Sequence, residues 1–180
     1  MAKPKISSDW MAGCAGCHMS LLDIDERIVQ LAELVDIRST PITDLKEPDE
    51  GGVDVGILEG GVNNSANEEV AHKMRKRSKI LVALGDCAVF GGVPALRNFC
   101  GIQEALQRAY VDAESVDESG KIPSDPELAT MTKVRALSEV VPVDVYVPGC
   151  PPDADVIFEA LVALATGRKP ELKDELLHWH

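Results

Sequence analysis

Four of the five cysteines are spaced so that their thiols could hold one metal group. Cys14 and Cys17 form a Cys-x-x-Cys pair, whereas Cys87 and Cys150 stand alone, with 69 residues between Cys17 and Cys87 and 62 between Cys87 and Cys150. A Cys-x-x-Cys pair is compatible with zinc, with a redox dithiol or with an iron–sulfur cluster. Because structural zinc usually uses two short chelating pairs, this spacing favours an iron–sulfur cluster, while zinc and unrelated buried thiols stay open.

Each group of cysteines follows a segment that is predicted to be a β-strand. The predicted strands cover residues 5–11, 53–58, 80–84 and 141–147, and glycine-rich turns come after them. In an open parallel sheet, the carboxyl ends of the strands form one ligand-binding edge. The four thiols are therefore expected to meet at this edge, although they are far apart in the sequence.

The rest of the chain alternates helical and strand patterns, which is typical of an α/β domain with a mainly parallel sheet. The predicted helices cover residues 19–35, 65–77, 102–110 and 153–166, and a short strand is predicted at 35–38. The polar stretch 111–133 is long for a loop and is interpreted as a mobile excursion or a docking surface for a partner. No linker divides the chain, so residues 1–180 are interpreted as a single domain.

The charge argues against binding to nucleic acid or to anionic lipids, since the net charge is -12. No segment reaches the roughly 18–20 apolar residues that span a membrane, so no membrane span is predicted. Residues 1–10 resemble neither a secretory nor a twin-arginine signal, and a cytoplasmic location is expected. In a reducing compartment, cysteines serve more often as metal ligands or buried thiols than as disulfides.

Four segments together resemble the small subunit of [NiFe] hydrogenases. They are residues 14–17 (CAGC), 58–62 (LEGGV), 84–92 (LGDCAVFGG) and 147–152 (VPGCPP), and they occur in the order found in that family. The resemblance implies a flavodoxin-like domain with helices on both faces of the sheet and the cluster at the C-terminal edge of the strands. It also implies that Cys14, Cys17, Cys87 and Cys150 hold a proximal [4Fe–4S] cluster, and it supplies no catalytic or other cofactor-binding residue.

Within that family, the chain is most similar to the small subunit of the cytoplasmic NAD-reducing (bidirectional) enzymes, because no further cysteines follow Cys150. The resemblance implies two partners. One is a large subunit with the nickel–iron site, and the other is a diaphorase part with FMN, NAD and further iron–sulfur clusters. Such a small subunit passes electrons between the two. Two cysteines found around the proximal cluster of oxygen-tolerant enzymes are replaced by Gly16 and Gly92.

Three alternatives remain at this point. The cluster-bearing subunit at the quinone junction of complex I shares the PGCPP turn, but it typically has adjacent cysteines where this chain has Cys14 and Cys17. A flavin-binding domain would need a Ser/Thr/Gly-rich phosphate loop after the first strand, where this chain has residues 13–17 (GCAGC). A zinc-stapled adaptor would use the same four thiols without sulfide.

The sequence also suggests roles for some residues outside the group of four cysteines. Glu59 is interpreted as part of a proton route or as a hydrogen-bonded carboxylate at a strand end, and His18 as a partner of the cluster or a solvent-facing side chain. Asp86 is expected to be a turn residue. Cys100 is expected to be a buried, inert thiol. No role is predicted for His178 and His180.

Overall fold

The alternating pattern folds into a central sheet with helices around it in the computed structural model, which describes residues 2–44 and 50–171. The strands are β1 (Lys5–Trp10), β2 (Asp36–Ser39), β3 (Val53–Glu59), β4 (Val62–Asn64), β5 (Ser78–Leu84), β6 (Met131–Arg135) and β7 (Val145–Val147). The helices are α1 (Gly16–Leu22), α2 (Arg27–Leu34), α3 (Ser65–Arg77), α4 (Gly85–Phe90), α5 (Ile102–Tyr110) and α6 (Ala154–Ala165). Two 3₁₀-helices span Val93–Phe99 and Leu137–Glu139.

The main sheet has the strand order β2-β1-β3-β5-β7, and all of its neighbouring strands are parallel. This is the order of flavodoxin-like sheets, in which the chain turns outward in both directions from the first strand. The predicted fold class is therefore confirmed. A second sheet of two antiparallel strands, β4 and β6, lies after β3 and pairs Val62 with Arg135.

Two hydrophobic clusters bury the faces of the main sheet, because the central strands β3 and β5 carry apolar residues on both sides. On one face, Val55 and Ile57 of β3 pack with residues of α2 and α6. On the other face, Leu58 of β3 packs with residues of α3, including Met74. The N-cap of α3 is Asn64, whose side chain accepts the N–H of Asn67, as its position before a helical pattern predicts.

The single helix predicted over residues 19–35 is wrong, since α1 and α2 are separated by a turn. Asp25 lies in this turn with φ 53°, a left-handed conformation that a helix does not contain but that aspartate tolerates better than most residues. Ile24 is 1% exposed and fills the core from the turn. Because this turn residue is apolar, the helical spacing of apolar residues continues across the turn, and the sequence does not reveal that the helix is interrupted.

The last strand is shorter than the predicted range 141–147, because only Val145–Val147 forms β7. Val141 is buried in the second hydrophobic cluster, but Pro142 has no N–H to offer a neighbouring strand. Within the polar stretch 111–133, residues 111–130 form turns, bends and irregular segments, and β6 begins at Met131. No helix within the described ranges has the length and apolar character to span a bilayer.

Candidate metal centre

Three loops at the carboxyl edge of the main sheet carry the four predicted ligands. Cys14 and Cys17 follow β1, and Cys17 lies in the first turn of α1. Cys87 is in the first turn of α4, directly after β5, and Cys150 follows β7. The strands β1, β5 and β7 are held in one sheet by β3, so the sheet brings these loops to a common edge.

The loops that carry the four cysteines lie against one another, because a Cβ atom on Gly85 would lie 2.2 Å from the Sγ of Cys17 and 3.5 Å from the carbonyl oxygen of Gly149. Burial raises the pKa of Cys17 to about 12, and the charges of Glu59, Cys87, Cys14 and Cys150 add to this rise. Burial also raises the pKa of Cys87, while the N–H of Val93, hydrogen bonded to it, offsets part of that effect. Within residues 2–44 and 50–171, no three Cys, His, Asp or Glu side chains form a ready ligand group for a single metal ion.

Glycines lie against three of the four thiols, and they approach Cys17 and Cys87 more closely than Cys14. A Cβ atom on Gly85 would lie 2.2 Å from the Sγ of Cys17, and one on Gly92 would lie 2.8 Å from the Sγ of Cys87. Both distances are shorter than the non-bonded contacts that a Cβ atom makes, so a side chain at either position would clash with the sulfur and only glycine fits. Four soft thiolate donors with bare backbone beside them fit an iron–sulfur cluster, whose sulfurs accept hydrogen bonds from such backbone.

Asp86 fastens the loop of Cys87 to the loop of Cys150. Its backbone N–H donates to the carbonyl of Gly149 at 2.8 Å, and its Oδ1 accepts the N–H of Gly149 at 2.8 Å. This pair of bonds continues the pairing of β5 with β7 beyond the end of both strands. Asp86 therefore positions two of the candidate ligands relative to each other, which is more specific than the turn role that was predicted.

Glu59 and His18 form a buried pair beneath the loop of Cys14 and Cys17. The backbone N–H of His18 donates to Oε2 of Glu59 at 2.7 Å, and the ring Nδ1 of His18 lies 2.5 Å from the same oxygen. The ring Nε2 of His18 lies 2.9 Å from the hydroxyl of Ser8. His18 is 0% exposed, so the alternative of a solvent-facing side chain is wrong, whereas the hydrogen-bonded carboxylate expected for Glu59 is confirmed.

Cys100 is exposed, so the expectation of a buried thiol is wrong. It comes directly after the 3₁₀-helix Val93–Phe99, whose apolar residues face solvent instead of the core. Cys100 lies in none of the three loops that carry the predicted ligands. His178 and His180 lie outside the residues that the structure describes.

Cys17 should react slowly with iodoacetamide in the cluster-free folded protein. Because only the thiolate is nucleophilic, a pKa of about 12 in place of 9.0 should slow alkylation at pH 9 by about two to three orders of magnitude relative to the chain in urea. The folded-state rate should keep rising through pH 11, whereas the rate in urea levels off above pH 9. Peptide mapping after timed anaerobic alkylation measures both, and exposed Cys100 serves as the internal control. Equal rates for Cys17 and Cys100 in the folded chain would contradict this.

Comparison with known proteins gives the family of the chain. Residues 14–164 match the family described as NADH ubiquinone oxidoreductase, 20 Kd subunit. One subunit of the F420-non-reducing hydrogenase of Methanothermobacter thermautotrophicus is 40% identical over 174 residues, which cover 96% of this chain and 56% of that subunit. Subunit delta of the NAD-reducing hydrogenase HoxS of Cupriavidus necator is 38% identical over 177 residues, which cover 97% of this chain and 84% of that subunit.

A solved structure has nearly the same fold. A chain of an NAD+-reducing [NiFe]-hydrogenase in its H2-reduced state superimposes with a TM-score of 0.94 at 40% identity, over 99% of this chain and 100% of that one. A chain of the [NiFeSe]-hydrogenase of Dm. baculatum shares the fold alone, with a TM-score of 0.59 at 19% identity, over 98% of this chain and 69% of that one. The chain spans only about half the length of the Methanothermobacter subunit but most of subunit delta. It therefore belongs to the family of the NADH ubiquinone oxidoreductase 20 Kd subunit and, within that family, to the small subunits of [NiFe] hydrogenases.

Proposed function

We propose that this chain is the electron-transfer small subunit of an NAD-reducing [NiFe] hydrogenase and that Cys14, Cys17, Cys87 and Cys150 hold one proximal [4Fe–4S] cluster. The observation that carries the proposal is the convergence of four thiols from three strand ends onto one glycine-lined edge. The cluster, when bound, supplies a one-electron carrier whose potential depends on its surroundings. The likeness to a chain of an NAD+-reducing enzyme supports the hydrogenase over the complex I subunit.

The proposed role assigns separate tasks to the residues of this chain. The four thiolates would hold the cluster, and Gly85 and Gly92 would let backbone approach its sulfurs. Asp86 would keep the loops of Cys87 and Cys150 in register. The whole of residues 1–180 would act as one flavodoxin-like iron–sulfur domain, and a role in reducing NAD would place it in the cytoplasm, where thiols stay reduced.

The proposal also names partners. Electrons would arrive from a large subunit with the nickel–iron site and leave towards a diaphorase part with FMN, further iron–sulfur clusters and NAD, or run in the opposite direction. The hydrogen chemistry would belong to the large subunit, and the role proposed for this chain is electron transfer. The names of subunit delta and of the solved hydrogenase support this assignment.

Metal analysis tests the proposal most directly. The protein purified anaerobically should contain about four irons and four acid-labile sulfides per chain, and the complex co-purified with it should reduce NAD with hydrogen. Zinc without sulfide would favour the zinc-stapled adaptor instead. A chromatographically retained flavin without iron would favour the flavin-binding alternative.

An exposed apolar ridge, formed by Val93, Leu96 and Phe99, supports the docking of a large subunit at this edge. These residues follow the three-residue period of a 3₁₀-helix and therefore share one side of it, with exposed fractions of 65%, 61% and 89%. The ridge is continuous with the candidate metal centre, because Gly92 packs on Cys87 and the N–H of Val93 is bonded to that thiol. A partner that exchanges electrons with the cluster has to cover this region.

Leu96→Asp should weaken assembly with the large subunit by about ten- to a hundredfold, because a carboxylate would be buried in an apolar contact. Val29→Asp on α2 is the matched control, since Val29 is also 61% exposed and its replacement adds the same charge away from the ridge. Titration of each variant against the large subunit gives the two affinities. Equal losses of affinity in both variants would show that the ridge is not the contact.

A further inference from the structure

The carboxylate of Glu59 is held in a fixed position at the end of β3. The side chain is 2% exposed, and Oε2 faces both the backbone N–H and the ring Nδ1 of His18. These two contacts hold the carboxylate in place. Water is excluded from it, so its field is weakly screened in the direction of the thiols.

The histidine can satisfy these bonds without carrying a positive charge. A neutral imidazole that donates from Nδ1 to Glu59 and accepts the hydroxyl of Ser8 at Nε2 uses both of its ring nitrogens. In this arrangement, assigned from the hydrogen-bond partners, the pair keeps the negative charge of the carboxylate. No Lys or Arg forms a salt bridge with Glu59 among the ion pairs of the described residues.

The second carboxylate oxygen lies beneath the loop that carries the first two thiols. Oε1 would lie 3.8 Å from a Cβ atom on Gly13, the residue before Cys14. The other oxygen, Oε2, accepts the backbone N–H of His18 at 2.7 Å, and His18 is the residue directly after Cys17. Glu59 is thus fixed behind the site, close enough to act on charge that resides there.

We propose that Glu59 tunes the candidate metal centre, its buried negative charge lowering the reduction potential of a cluster held by the four thiols. The inference rests on the proposed iron–sulfur function. It gives a role in that function to Glu59, which is not one of the four proposed ligands. An electron added to the cluster meets the repulsion of a nearby, poorly screened carboxylate, so the oxidised state is favoured. A low potential suits a carrier that exchanges electrons with hydrogen and NAD.

The experiment compares Glu59→Gln with the unchanged protein. Glutamine keeps the shape of the side chain and its oxygen can still accept the N–H groups of His18, but the charge is lost. At a fixed solution potential, the ratio of reduced to oxidised cluster should rise about tenfold, which is a shift of about 59 mV for a one-electron couple. The EPR signal of the reduced cluster in the anaerobically purified 180-residue chain, followed through a redox titration, measures this ratio.

Glu33→Gln is the matched control, because it removes the same charge from an exposed position on α2, where water screens it. Its potential should equal that of the unchanged protein, and Glu59→Asp, which keeps the charge, should stay close to it. An intact cluster with an unchanged potential in Glu59→Gln would overturn the tuning role and leave the proposed function standing. Loss of the cluster from Glu59→Gln would overturn it as well, since the carboxylate would then be needed for assembly. Absence of iron and sulfide from the unchanged protein would contradict the proposed function itself.

Discussion

Replacing Cys87 by serine should leave a folded protein that no longer holds a complete [4Fe–4S] cluster. Such a cluster is bound by four thiolates, and a serine hydroxyl is a poor ligand for the iron that Cys87 would hold. We expect iron to fall from about four atoms per chain towards zero and hydrogen-dependent NAD reduction by the complex to fall to background. The fold should persist, because Cys87 lies on the rim and neither hydrophobic cluster of the sheet includes it.

Cys100→Ser is the matched control for this loss. Cys100 is an exposed thiol after the first 3₁₀-helix, and its replacement removes the same sulfur atom from outside the group at the sheet edge. Iron, sulfide and activity should all stay at the level of the unchanged protein. Full iron content and normal NAD reduction in Cys87→Ser would refute the assignment of this ligand.

Gly85→Ala should destabilise the protein and expel the cluster. Gly85 has φ 80°, which costs an alanine about 1–2 kcal/mol, and its new methyl group would lie 2.2 Å from the Sγ of Cys17. Overpacking of this kind typically adds about 1–3 kcal/mol. Chemical denaturation of the cluster-free protein gives the loss of stability, and iron content after anaerobic purification gives the loss of the cluster.

Gly167→Ala separates the backbone effect from the clash. Gly167 follows α6 with φ 71°, close to the value at Gly85, but within residues 2–44 and 50–171 no atom beyond its two chain neighbours lies within 4 Å of the position of its Cβ. Its substitution should therefore cost only the backbone term of about 1–2 kcal/mol and keep the iron. If both alanine variants lose the same stability and keep their clusters, the close approach of Gly85 to Cys17 has no consequence.

The strands before Cys87 and Cys150 could be predicted because residues next to them in the sequence mark where they end. The apolar run of β5 stops at Gly85, and β7 stops at Pro148, so each thiol follows a strand that the residues themselves mark. Parallel pairing then places those ends at one edge by geometry alone. Local spacing gave the wrong result for the helix predicted over residues 19–35. Ile24 is buried from a turn inside this range, and the spacing of apolar residues does not reveal the turn.

The environments of single polar or apolar residues could not be predicted in the same way. His18 follows Cys17 in a polar context, and only the end of β3, 41 positions away, supplies the carboxylate that lets it be buried. The reverse holds for Phe99, which looks like a core residue beside Cys100 but is 89% exposed. The burial of His18 depends on a partner that is remote in sequence, and nothing in the residues around Phe99 marks its side chain as exposed.

The pairing of β5 with β7, continued by Asp86 and Gly149, closes a long excursion of the chain at its base. The apolar ridge, α5 and β6 all belong to this excursion, while the thiols of Cys87 and Cys150 stand at its two ends. Insertions and deletions within such a closed segment leave its anchored ends in place. During evolution, the proposed docking surface for a partner would therefore be free to change while the proposed cluster ligands Cys87 and Cys150 stay in place.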